Sequence, residues 1–117
     1  MSSRDEKIAA TTTRMVELAA KFIERSAGEL EPLRVSFARL TAGEVDALDD
    51  IRHVAHRMCG TGATLGFEAL SDCAQRLEQI AGNLSPGTMP DEFMLTQLGV
   101  GIEAIGAELA RLRRGPA

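Results

Sequence analysis

Arg52-His53-Val54-Ala55-His56-Arg57-Met58-Cys59-Gly60 gathers much of this chain's reactive chemistry into one short stretch. Imidazole has a reference pKa of ~6.5, so a neutral histidine is a nucleophile near pH 7. Its free nitrogen can attack the phosphorus of an aspartyl phosphate and become an N-phosphohistidine. The transition state spreads charge over three equatorial oxygens, so positive charge and in-line geometry do most of the catalysis. Arg52 and Arg57 offer local charge. A metal ion and any further cations would have to come from the molecule that brings the phosphate.

Helical spacing places His56 one step off an apolar seam that includes Ala55 and Met58, which predicts a partly exposed ring. Arg52 lies one turn back, Cys59 and Gly60 one turn on, and Ala63 two turns on. Glycine inside a helix costs about 1 kcal/mol relative to alanine, and both Gly60 and Gly62 accept that cost. Small residues at 60 and 63 leave clear ground for another protein's active site to approach the ring. His53, one turn earlier, reads as a solvated side chain.

The elements that must hold this stretch read as helices throughout. Met15, Leu18 and Phe22 step by three and four, as do Leu30, Leu33, Phe37 and Leu40. Gly28 and Pro32 fall between these sets, so residues 5–41 predict one kinked helix or two helices in near continuation. Thr41-Ala42-Gly43-Glu44 fits a capping box, followed by Asp46, Asp49 and Asp50, and opens a histidine-bearing helix over 42–65. Leu48, Ile51, Ala55, Met58, Gly62 and Leu65 form its inner seam, with Gly66 as the stop. The next helix, 67–84, places Phe67, Leu70, Cys73 or Ala74, Leu77, Ile80 and Leu84 inward. Asn83-Leu84-Ser85-Pro86-Gly87 is a loop. Thr88-Met89-Pro90-Asp91 then opens a last helix over 89–113, and Gly115-Pro116-Ala117 ends it. Short connections between amphipathic helices predict an all-α, antiparallel four-helix bundle with an additional or kinked N-terminal helical segment, in a single domain spanning 1–117.

Composition narrows the function classes. The chain has 117 residues, a net charge of −4, no Trp or Tyr and four Phe. Without a basic stripe or stacking aromatics, nucleic-acid binding is not expected. No apolar run approaches the ~20 residues of a membrane span, and the N-terminus lacks a secretory pattern, so the expected location is cytoplasmic. Cys59 and Cys73 lack CxxC spacing and read as reduced thiols. No nucleotide-binding motif is evident, which argues against a kinase.

Ala55-His56-Arg57-Met58-Cys59-Gly60-Thr61-Gly62-Ala63-Thr64-Leu65-Gly66 resembles the motif of histidine-containing phosphotransfer (HPt) domains, roughly A-H-x-[LI]-K-G-[SA]-[SA]-x-x-[LIV]-G. Leu70, Cys73, Leu77 and Glu78 fit the family's downstream L-x-x-x-C-x-x-L-E, with one residue fewer between Leu and Cys and one more between Cys and the second Leu. The resemblance implies a four-helix bundle in which Nε2 of His56 accepts the phosphoryl group and Gly60 gives the partner room. It implies receiver domains of response regulators and hybrid histidine kinases as partners. It also implies no cofactor of the chain's own, with Mg2+ expected in the partner receiver. Arg52, Arg57, Cys59, Gly60, Ala63 and Arg76 are the expected docking and phosphoryl environment, with Gln75 and Gln79 beside them, on a monomer. Ala55, His56, Gly60, Leu65 and Gly66 match by type and spacing, and one departure matters: the family's lysine three residues after the histidine is Cys59, and Arg57 or Arg52 is left to supply its charge.

Two other readings stay open. A bundle that lost phosphotransfer would serve as an interaction module, with Cys59 as its clue. A small metal- or redox-sensing bundle would use His53, His56 and Cys59, although steps of three spread these around the helix by about a third of a turn.

Overall fold

The computed structural model describes residues 3–115. Four helices follow one another: α1 (Ser3–Thr41), α2 (Ala47–Thr64), α3 (Glu68–Gly82) and α4 (Glu92–Arg114). No strand occurs among the described residues. α1 packs on α2 and α4, and α3 packs on the same two, so the helices close a ring in chain order. Cross-helix pairs give their directions. Glu24 meets Arg113 and Arg34 meets Glu103, so α1 and α4 run oppositely. Cys59 with Ser71, and His56 with Glu78, do the same for α2 and α3. The architecture is the antiparallel four-helix bundle that the apolar spacing predicts.

The seams lie where the sequence puts them. Leu48, Ile51, Ala55, Met58 and Gly62 are buried on α2, and Leu98, Ile102, Ile105 and Leu109 on α4. On α3 the buried residues are Leu70, Ser71, Ala74, Leu77 and Ala81, so Ala74 takes the core position and Cys73 sits half-buried beside it. Burying an aliphatic side chain of this size stabilises by about 1.5–3 kcal/mol. By length and mean apolarity alone, α4 is sufficient to cross a bilayer. Leu98, Ile102, Ile105 and Leu109 fill the bundle core while Phe93 and Val100 are exposed, and Glu103 takes two hydrogen bonds from Arg34 on α1. Arg34 holds the Glu103 carboxyl below the usual range. That contribution is present at neutral pH and fades as pH falls through the lowered value; both groups are exposed, so it is small.

Several helix ends differ from the sequence reading. The N-terminal region is one helix, with Pro32 inside it. Proline deletes one hydrogen bond, but Leu33 and Leu40 anchor the stretch beyond it in the core while Phe22 and Ile23 anchor the stretch before it. Thr41-Ala42-Gly43-Glu44 does not start α2; it stops α1. Gly43 has φ +102°, its N–H donates to Leu40 O, and Glu44 N–H donates to Arg39 O. This is a glycine-closed helix end. The capping-box pattern is occupied otherwise: Thr41 Oγ1 donates to Ala38 O, and Glu44 and Asp50 share the Arg39 guanidinium. α2 therefore begins at Ala47, not 42. α4 begins at Glu92, later than 89, because Asp91 Oδ1 accepts from Met94 N–H and takes the cap that Thr88 was expected to supply. α3 ends at Gly82, before Leu84. The expected terminus Pro116-Ala117 lies outside the described residues.

α2 does stop at Gly66, as expected. Gly66 has φ +88° and donates to Ala63 O, while Phe67 N–H donates to Gly62 O. The turn drops Phe67 onto Phe22, with ring centroids 5.7 Å apart. Phe22 is the first buried residue of α1. Most of what precedes it projects beyond the α2–α3 turn: Met15 (44% exposed) finds no core there, while Leu18 (43%) and Lys21 still border α2. At 1.5 Å per residue a 39-residue helix is about 58 Å long, which accounts for the 61 Å long axis of the molecule.

Two glycine substitutions should move stability in opposite directions. Gly66→Ala forces a side chain into the left-handed region and should cost about 1–2 kcal/mol. Gly28→Ala adds a methyl in open space within α1 and should gain about 0.4–1 kcal/mol. Urea titrations followed by circular dichroism measure both.

Candidate functional site

His56 projects from the middle of α2, with its side chain 73% exposed. Ala55 and Met58, its seam neighbours, are buried, so the helix fixes which way the imidazole leaves the bundle. The ring is not free to swing. Its Nδ1 lies 2.7 Å from Oε1 of Glu78, one helix over on α3. A carboxylate can only accept, so the shared proton sits on Nδ1 and Nδ1–H donates. In the neutral ring Nε2 then carries the lone pair. Glu78 is itself only 30% exposed, which limits its rotamers and makes it a firm anchor. The result is a nucleophilic nitrogen pointing outward on a ring oriented from behind.

The surroundings of the ring separate into open and filled sides. A Cβ added at Gly60 would meet nothing within 4 Å, whereas one at Gly62 would touch Phe22 Cζ, Phe67 O and Ser71 Cβ, each at 3.6 Å. A small side chain at 62 would sit in ordinary contact with the core, whereas packing gives no reason for glycine at 60. Ala63 is exposed on the same helix. Arg57 lines an open groove between α1 and α2 together with His56 and Gly60. Arg52 lies on the other flank, over a hollow shared with Gln75, Glu78 and Gln79. Arg76 is exposed on α3 but lines neither hollow. Cys59 faces α3: its Sγ is 3.5 Å from Ser71 Oγ, and Ser71 Oγ donates to Cys59 O at 2.9 Å. The thiol is thus half-buried in the α2–α3 seam, on the side away from the groove that Gly60 lines. Both cysteines are free. Among the described residues no group of three or more His, Cys, Asp or Glu is placed to hold a metal ion. His56 is committed to Glu78, and Cys59 lies beside Ser71, so His53, His56 and Cys59 form no shared site.

The model of the family described as Hpt domain matches residues 17–115, nearly the whole chain. This chain belongs to the Hpt domain family. No curated protein and no solved structure gives a match. Hpt domains are helical bundles that act as phosphocarriers rather than kinases. In this Hpt domain the match begins at residue 17, so most of the projecting part of α1 lies outside it.

The residue at this site to which sequence reasoning gave no role is Glu78. It was legible as part of a downstream motif, yet nothing in local spacing assigns it a partner 22 positions away. A signal existed: Glu78 follows the seam residue Leu77, as His56 follows the seam residue Ala55. Two such residues on adjacent antiparallel helices can meet along their shared border.

Glu78→Ala should release the ring to both tautomers and slow phosphoryl acceptance by about 10- to 100-fold, the scale seen when a partner orienting a histidine is removed. Glu78→Gln keeps an acceptor and should recover part of that loss. Single-turnover transfer with each variant measures the order wild type, Gln, Ala.

Proposed function

We propose that this Hpt domain carries a phosphoryl group on Nε2 of His56 and exchanges it with receiver-domain aspartates in a cytoplasmic two-component phosphorelay. The observation that carries this reading is the exposed ring whose Nδ1 is held by Glu78, which leaves Nε2 as the nucleophile, one helical turn from a glycine that packing does not require. In the forward step the Nε2 lone pair attacks phosphorus in line. The bond from phosphorus to the receiver carboxylate breaks, the aspartate leaves as a carboxylate, and a phosphorus–nitrogen bond forms. The Nδ1 proton stays in its hydrogen bond, and the Glu78 carboxylate balances the positive charge the ring acquires. The reverse step loads a second receiver. Mg2+ belongs to the receiver in this scheme, and this chain contributes the nucleophile, its orientation and nearby cations.

Cys59 in place of the family's lysine is the basis for a rival reading, an interaction bundle without transfer. The two readings separate on one experiment. Incubation with receiver domains of the source organism, loaded from acetyl phosphate, should place acid-labile phosphate on the wild-type chain. His56→Gln should abolish it with helicity intact. Labelling that persists moves the acceptor to His53, and no labelling of the wild type favours the rival.

Gly60 offers a second, independent check. Gly60→Ala should stabilise the fold by up to about 1 kcal/mol, because a methyl replaces glycine inside a helix without a clash. Gly60→Gln should retain helicity and slow transfer. Unchanged transfer for Gly60→Gln would refute the clearance argument.

A further inference from the structure

The groove beside His56 has a chemistry that differs from the rest of the molecule. It is open, about 640 Å³, and runs along α1 and α2. Its apolar lining is Leu18, Phe22, Met58 and Leu65. Its ionic lining is Lys21, Arg25 and Arg57 against a single acid, Glu29. Arg25 and Glu29 pair at 3.4 Å. Lys21 and Arg57 make no ion pair among the described residues. The chain as a whole carries a net charge of −4, so this is a cationic groove on an acidic protein. It also continues past the edge of the bundle, because Leu18 and Lys21 precede the first buried residue of α1.

We infer that this groove selects the partner: it receives an acidic segment with apolar side chains from the receiver whose aspartate faces His56, and Lys21 and Arg57 determine which receiver is accepted. The inference rests on the carrier reading above. Charge complementarity supplies the argument. Two unpaired cations flank an apolar floor directly continuous with the exposed imidazole, so a segment seated there carries carboxylates at its edges and aliphatic groups at its centre. Neutral or basic segments would leave both cations facing unlike surroundings. Rim charges of this kind act on encounter rate and on discrimination between partners more than on the chemical step. Lys21 is a specificity residue here, and the reacting atoms remain those of His56. The same arrangement places positive charge near the phosphoryl group from α1 and α2, while position 59 on α2 supplies a thiol turned into the α2–α3 seam.

The test uses the full chain and the panel of phosphorylated receiver domains of the source organism. For the receiver that transfers fastest, Lys21→Glu should raise KM by about tenfold or more with little change in kcat, and flatten the dependence on ionic strength. Leu18→Ser should raise KM without altering the salt dependence. Lys7→Glu, the same charge change on the same helix outside the groove, should do neither. The rank order of receivers should shift toward less acidic ones in Lys21→Glu. A Lys21→Glu protein that transfers with wild-type KM and salt dependence overturns the groove assignment and leaves the carrier reading standing. A wild-type chain that accepts no phosphoryl group from any receiver overturns both. A wild-type dimer in sedimentation that Lys21→Glu dissolves assigns the groove to a second copy instead, and the proposal falls.

Discussion

A histidine that reacts with a macromolecule has to be immobile and uncovered at once, and in this bundle those demands meet in one hydrogen bond between neighbouring helices. The bond from Nδ1 of His56 to Glu78 reaches from α2 to α3, so its geometry is only as good as the register between them. That register is set by close contacts elsewhere on the same border. Ser71 donates to the Cys59 carbonyl, and Phe22, Phe67 and Ser71 gather around Gly62. The turn at Gly66 is short enough to leave no slack between the two helices. A slip of one residue along α3 would rotate the carboxylate away by about 100° and free the ring. Orientation of the imidazole is therefore a property of helix packing, and the exposed side of the ring has nothing to contribute to it.

Glycine illustrates how the fold and the site compete within one helix. Gly62 lies where a methyl would come into ordinary contact with aromatic, backbone and seryl groups. Gly60, two positions away, has empty space around it. The first faces the core and the second lies on the face the core never touches. A helix that was optimised for stability alone would carry alanine at 60.

Much of this was readable from the residues. The alternating three-and-four steps of α2 and α4 identified the buried faces because helix amphipathicity is a local property, and the isolated imidazole beside that seam followed from the same arithmetic. What escaped the sequence depends on contacts between distant segments. The Thr41–Glu44 pattern resembled a helix start, but Arg39 captures Glu44 and Asp50, and the glycine between them ends the preceding helix instead. Met15 continues an apolar stripe whose partner helices stop short of it, and Leu18 stays half-exposed beside α2. Cys59 was grouped with the open surface by its spacing from His56, and the hydroxyl of Ser71, twelve residues on, draws it into the seam. Periodicity reports which face of a helix is apolar, and it does not report how far the neighbouring helices extend.

The projecting end of α1 has a consequence for local unfolding. A free helix of comparable length would be marginal in water, because its first turn must be nucleated against a large entropic penalty. Here the packed half of α1, from Phe22 onward, is already wound and acts as the seed, so the projecting residues only elongate an existing helix. Their amides have no tertiary cover, and each opens by fraying from the tip rather than with the bundle. Hydrogen-exchange protection should accordingly decline smoothly from Phe22 toward Ser3, without a cooperative step, and a molecule that settled on the projecting turns would turn that gradient into a plateau.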